Sequence, residues 1–236
     1  MFFFGIRRIP FGRSAGGMIR GVIFDVDGTL VDSVDAHAHS WVETMKRFGH
    51  FVDYADMRHQ IGKGGDQLMR EFLSETQIER DGPAIEAARK ELFRRDYLPG
   101  IRAFPQVREL LERLVNEGRQ IVLASSANGD ELEAYKEKAR IADLVQNQTS
   151  KDDVEKSKPH PDIFAAAYES LCGVSKDEVR VIGDTPWDAL AAGRAGLRMI
   201  GVLCGGFSRQ ELREAGCLAV VEDPADVLRH YESLGF

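Results

Sequence analysis

The chain has 236 residues, enough for one sizeable core with a smaller attached domain. Hydrophobic residues make up 43% and charged residues 29%, as in an ordinary globular protein, and the net charge of −7 gives no bulk reason to bind nucleic acid. No apolar run approaches the ~20 residues of a membrane span, so neither nucleic acid nor membrane is an expected partner.

Residues 1–17, MFFFGIRRIPFGRSAGG, begin with a short apolar run followed by Arg7 and Arg8. A secretory signal has the charge first and a longer apolar stretch after it. The segment reads as a disordered extension, with Met18 a candidate start and a partner-binding or membrane-surface arm as the rival reading.

The first element is a strand over 20–25, RGVIFD, an apolar run ending in a charge, as buried parallel strands do. From Ser33 to about Tyr97 the pattern is helical, with Trp41, Met45 and Phe48 and then Ile85, Ala88 and Leu92 at helical spacing. Gly62, Gly64 and Gly65 interrupt it with a loop. From Phe104 strands and helices alternate. Val107, Leu110, Leu111, Leu114 and Val115 form one helical stripe, which Gly118 ends. Strands are expected at 120–125, weakly at 144–148, and at 179–184, 198–203 and 218–221. Helices are expected on Leu132, Tyr135 and Ala139, from Pro161, up to Ala195, from Ser208 with Glu211 at capping-box spacing, and from Pro224. Ser175 and Glu178 have the same spacing, but a strand starts at once, so that match reads as chance.

This order predicts an α/β fold: a Rossmann-like parallel sheet in a three-layer α/β/α core, with right-handed crossovers. An insertion of about seventy residues is too long for a loop. Residues 33–103 are therefore expected to form a small all-helical cap, and 18–32 with 104–236 the catalytic core. The three cysteines, Cys172, Cys204 and Cys217, form no CxxC pair and read as small buried hydrophobes of a reducing, cytoplasmic compartment.

In open α/β sheets ligands sit beyond the carboxyl ends of the strands. Asp25 and Asp27, Ser125 and Ser126, and Asp184 with Asp188 fall at three such ends. Lys158, in EKSKPHPD, precedes a helix. Four gathered carboxylates repel, two unit charges ~4 Å apart costing on the order of 4 kcal/mol at an effective dielectric of ~20. A cation relieves that, and oxygen ligands suit Mg²⁺. Lys158 and Ser125 then supply a charge and a donor for phosphate oxygens.

DVDGTL, Ser125, Lys158 and GDTPWD, in this order, resemble the four motifs of the haloacid dehalogenase-like hydrolase superfamily, in its phosphoglycolate phosphatase and β-phosphoglucomutase-like branch with a helical cap after the first motif. The resemblance covers residues 20–236. It implies a phosphoric monoester hydrolase acting through an aspartyl-phosphate, with Asp25 as nucleophile and metal ligand and Asp27 as general acid and base. It also implies that Asp27 binds Mg²⁺ through its backbone carbonyl, that Asp184 is a metal ligand, and that Asp188 holds the metal's waters or Lys158. Thr29 stiffens the turn and reaches toward Asp27, and Ser126 is an alternative phosphate donor. In the cap, Lys63 is the candidate to touch a substrate anion, and His37 stands where sugar-phosphate mutases of the superfamily place a histidine.

The expected partner is a small phosphorylated metabolite, and the chain a monomer or homodimer. A β-phosphoglucomutase-like mutase is the alternative, with Gly183 in place of that relative's usual acid counting against it. Carbon–halogen and carbon–phosphorus cleavage are disfavoured because Asp27 is present. A non-catalytic binding protein is disfavoured because no motif is lost.

Overall fold

Six strands form one sheet in the computed structural model, which describes residues 18–236. The expected extension over 1–17 lies outside the described residues. The strands are β1 (Gly21–Phe24), β2 (Gln120–Ala124), β3 (Asn147–Thr149), β4 (Val179–Gly183), β5 (Arg198–Val202) and β6 (Ala219–Val221), all parallel in the order β3-β2-β1-β4-β5-β6. Their apolar runs follow from burial on both faces. Val22 and Phe24 of β1 enter one apolar cluster with Leu123, Ile182 and Ile200. Ile23 enters the opposite one with Val122, Val181 and Met199. Each such side chain, fully buried, contributes about 1.5–3 kcal/mol.

The first face is covered by α5 (Val107–Asn116), α6 (Gly129–Ala139), and the C-terminal α10 (Pro224–Arg229) and α11 (Tyr231–Leu234). The other is covered by α7 (Asp162–Glu169) and α8 (Pro186–Arg194). A short helix, α9 (Arg209–Glu214), packs Leu212 against Val220 beside β6 and has the Ser208–Glu211 capping box. The sequence order β1 then β2 on one side, and β4 on the other, makes the end of β1 the switch point of the sheet.

Between β1 and α5 the chain is helical. It comprises α1 (Val34–Arg47), α2 (Tyr54–Gln60), α3 (Gly65–Leu68) and α4 (Glu75–Leu92). These helices share an apolar cluster of their own, including Ala38, Trp41, Met45, Met57, Leu68 and Ile85. Their loop at Gly62 presses on the core: a Cβ there would stand 2.7 Å from the Thr185 side chain, at a φ of +102°. The path leaves the insert through Phe93, which is fully buried in the sheet cluster. No helix among the described residues is long and apolar enough to cross a membrane.

The structure corrects several expectations. Strand β3 starts at Asn147 rather than 144, because Leu144 and Val145 pack into the core from a turn and only 147–149 pair with β2. Ser175 and Glu178 do form a capping box, on a single 3₁₀ turn over Lys176–Glu178 that fits before β4. Cys172 is exposed, while Cys204 and Cys217 are half-buried.

Candidate active site

Strand register brings the polar strand ends together. Phe24 pairs with Leu123 and Ile182, so Asp25, Ser125 and Asp184 leave neighbouring strands at one edge. The Asp25 N–H donates to the Ile182 carbonyl (2.9 Å), which extends the ladder and fixes Asp25. Lys158 arrives from the loop before α7 and is fully buried. Its ammonium contacts the Asp25 carboxylate, stands 2.7 Å from Asp188 Oδ1 and donates to the Ala124 carbonyl (3.3 Å). The neighbouring Lys156 is exposed, so Lys158 alone of the two reaches the site.

Asp25, Asp184 and Asp188 offer carboxylate oxygens within 4.8 Å of one another, all buried. Asp188 uses Oδ2 to accept from the Thr185 N–H (3.0 Å) and hydroxyl (2.6 Å), closing the capping box of α8, and Oδ1 to face Lys158. Asp184 Oδ1 accepts from the Thr29 hydroxyl (2.8 Å). Asp25 Oδ2 and Asp184 Oδ2 are buried and make no hydrogen bond among the described residues. Burial pushes the Asp25 carboxyl up to about 7 despite Lys158, and burial and the nearby Asp25 charge push Asp184 well above the usual carboxylate range. Two unpartnered oxygens in an all-oxygen set with a single lysine fit a hard divalent cation such as Mg²⁺. The backbone makes room for the cluster: a Cβ at Gly205 would lie 1.6 Å from Asp184 Oδ2, and one at Gly28, where φ is +79°, would lie 2.4 Å away.

The carboxylate of Asp27 turns away from that cluster. Ser33 donates to its Oδ1 (2.6 Å), His37 Nε2 stands 2.8 Å from the same oxygen, and the Ser125 hydroxyl donates to Oδ2 (3.3 Å). Tyr135 places its hydroxyl 3.0 Å from His37 Nε2. Burial raises the Asp27 carboxyl, but His37, Ser33 and Tyr135 outweigh it and hold the group below the usual carboxylate range. Arg89 Nη1 lies 3.0 Å from His37 Nδ1. A guanidinium only donates, so Nδ1 accepts and the Nε2 proton goes to Asp27. The His37 ring stacks on Phe93 at 4.1 Å, which holds its plane.

A cavity of about 430 Å³ opens from Asp25 and Asp27 toward the helical insert, with His37, Trp41, Lys63, Arg89, Ser126 and Glu131 among its walls. Thus three of the four expected carboxylates gather, and the fourth, Asp27, pairs with His37 instead. Thr29 donates to Asp184 rather than to Asp27, whose own oxygens are taken by Ser33, His37 and Ser125. Ser125 is buried behind Asp27, whereas Ser126 lines the cavity and donates to the Gly62 carbonyl (3.3 Å). Lys63 lines the cavity, but its ammonium is held by Glu71 (2.7 Å) and Gln60 (2.6 Å), 3.9 Å above the Trp187 ring, so it is not a free cation for a substrate. Arg89, Glu131, Tyr135, Ser33 and Gly205 do not stand out as site residues in the sequence. Each sits in a pattern shared with ordinary helix surfaces, helix stripes or loops.

The family model for haloacid dehalogenase-like hydrolases matches residues 22–202. A phosphoglycolate phosphatase of Rhodospirillum rubrum is 28% identical over 218 residues, covering 89% of this chain and 90% of its own. A hydrolase structure from Pseudomonas syringae superposes with a TM-score of 0.81 at 33% identity, covering 92% of this chain and all of that one. A Bacteroides vulgatus structure, provisionally named a beta-phosphoglucomutase, gives 0.79 at 26% identity over 92% of this chain and 89% of that one. The chain belongs to the haloacid dehalogenase-like hydrolase family and is an enzyme of it.

Proposed function

We propose that this enzyme is a Mg²⁺-dependent phosphatase that hydrolyses a small-molecule phosphate monoester through a phosphorylated Asp25. The observation that carries this reading is the buried cluster in which Asp25 touches Lys158 while Asp25 Oδ2 and Asp184 Oδ2 lack partners. Asp25 and Asp184, with the Asp27 carbonyl, would hold the metal, which when bound neutralises phosphate charge and favours the ionised form of Asp25.

Asp25 attacks phosphorus, the bond to the leaving oxygen breaks, and that oxygen takes a proton from Asp27. Lys158, anchored by Asp188, orients Asp25 and counters charge on the phosphoryl oxygens. Ser126, at the cavity wall, donates to those oxygens, and Ser125 positions Asp27. In the second half Asp27 accepts a proton from water, which attacks phosphorus and frees Asp25. The arrangement with His37 donating to Asp27 is the ionised, base form that this second half needs. The first half needs Asp27 protonated, and therefore needs the His37 contact released. The helical insert serves as the cap that excludes bulk water.

The contact between His37 and Asp27 favours a mutase as the second reading. Gly183 stands against it: a Cβ there would meet Asp188 and Met199 at 3.0 Å, so an acidic side chain would require those neighbours to give way. The test is hydrolysis of p-nitrophenyl phosphate with Mg²⁺ and with EDTA, followed by β-glucose 1-phosphate with the products separated. Free phosphate released only with Mg²⁺ is expected. Equal rates in EDTA defeat the metal assignment, and an isomeric sugar phosphate as the main product favours the mutase.

A further inference from the structure

Away from the phosphate end, the cavity is bounded by the seam between the helical insert and the core, and its charges pair across that seam. Arg89 of α4 meets Glu131 of α6 at 3.3 Å, Lys90 of α4 meets Asp130 of α6 at 3.7 Å, and Lys151 meets Glu86 of α4. Lys63, the remaining cation of the lining, is held by Glu71. Among the described residues, then, every cation at the cavity wall already has a carboxylate partner. A substrate bearing a second anionic group would have to take one of these cations and strand its partner, which is costly where the partner is buried.

The pair of Arg89 and Glu131 differs from the others. Its side chains are 12% and 3% exposed, and each keeps one buried polar atom without a hydrogen bond, Arg89 Nε and Glu131 Oε2. One free donor and one free acceptor on the same ion pair match a hydroxyl, which takes one hydrogen bond and gives another. They do not match a carboxylate, which only accepts and would face the charge of Glu131. The guanidinium lies 5.4 Å from the ring centroids of both Trp41 and Phe93, and Trp41, Ile61 and Pro83 give the cavity an apolar wall for the C–H face of a small polyol. Through His37, Arg89 stands one side chain from Asp27, which protonates the leaving oxygen.

We infer that Arg89 and Glu131 form the leaving-group site, and that they select esters whose alcohol half is uncharged and carries a further hydroxyl, against esters with a carboxylate or a second phosphate. This inference rests on the phosphatase reading. Its test compares kcat/KM of the full chain with Mg²⁺ on ethylene glycol monophosphate and 2-phosphoglycolate, which differ only in a CH₂OH against a carboxylate, with p-nitrophenyl phosphate as reference.

The hydroxylated ester is expected to be favoured by about tenfold or more. Glu131→Gln is expected to shrink that ratio by admitting the carboxylate, and Arg89→Ala to shrink it by raising KM for the hydroxylated ester. The ratio is indifferent to a uniform loss of folded enzyme, so a poorly folding variant does not hide the answer. Equal or reversed preference in the wild type, or a ratio unchanged in both variants, overturns the inference. Turnover of p-nitrophenyl phosphate without turnover of the hydroxylated ester overturns it while leaving the phosphatase reading intact. Inactivity on all three overturns the phosphatase reading and the inference with it.

Discussion

Asp25 and Arg89 are both charged groups at one cavity, but they are held there in different ways. Asp25 stands one residue beyond β1, and its backbone N–H continues the ladder to Ile182. Its carboxylate is placed by the sheet before any side chain acts. Arg89 projects from α4 and is placed by what it touches: Glu131, His37, and the faces of Trp41 and Phe93. The sheet edge is held by ladder hydrogen bonds, whereas the wall opposite is assembled where the helical insert meets the core, at a seam of ion pairs. On the proposed reading, chemistry thus falls to groups that the ladder places, and recognition to groups placed by side-chain contacts across the seam.

That contrast orders the expected effects of substitution. Asp25→Asn is the largest: loss of the nucleophile should lower kcat on the order of 10⁴–10⁶-fold while the fold stays intact by circular dichroism. Retained turnover would remove Asp25 from the reaction and break the comparison at its rigid end. Lys158→Ala leaves Asp25 and Asp188 as buried charges without their cation, so unfolding by urea should show a loss of about 3–5 kcal/mol. A loss well below that would mean the cluster is far more hydrated than its burial indicates.

Metal binding can be read without turnover. Mg²⁺ at a hundredfold excess over its Kd should stabilise the wild type by about 2.7 kcal/mol, raising Tm, and Asp184→Asn should cancel the rise. Gly205→Ala should do so in part. Its Cβ would overlap Asp184 Oδ2, and disturbing a ligand's surroundings costs about 10–100-fold in metal affinity. Full metal affinity in Gly205→Ala would show that the edge is less rigid than drawn.

The smallest effect belongs to the insert. Lys63→Ala removes an ammonium already held by Glu71 and Gln60, so KM should change by less than about threefold with kcat unchanged. A tenfold rise in KM would show that Lys63 leaves Glu71 when substrate enters, which sharpens the view of the seam as the adjustable side.

Legibility in the sequence follows the same division. An apolar run followed by aspartate reads as a buried strand and its functional end, so Asp25, Asp184 and Ser125 stand out, and the order of motifs brings Lys158 with them. The turn of Asp27 toward Ser33 and His37 is not legible, because residues two apart at a strand end have no fixed side once the chain leaves the ladder. Thr29 went to Asp184 for the same reason. Arg89 and Glu131 look like residues of a solvated helix face, since a polar side chain at helical spacing carries no mark of what packs against it. Tyr135 sat in an apolar stripe, where its ring belongs, and only the fold shows its hydroxyl beside His37.

By itself the sequence determined the α/β alternation, the helical insert after the first strand, and the set of oxygen and lysine side chains at the strand ends. Periodicity and strand polarity are local, and they survive translation into structure. Only the tertiary structure decided which carboxylates meet, that Asp188 holds Lys158 and Thr185, and that cations around the cavity are already paired. Those facts depend on distances between segments remote in the chain, which packing of the insert against the core sets and no local pattern records.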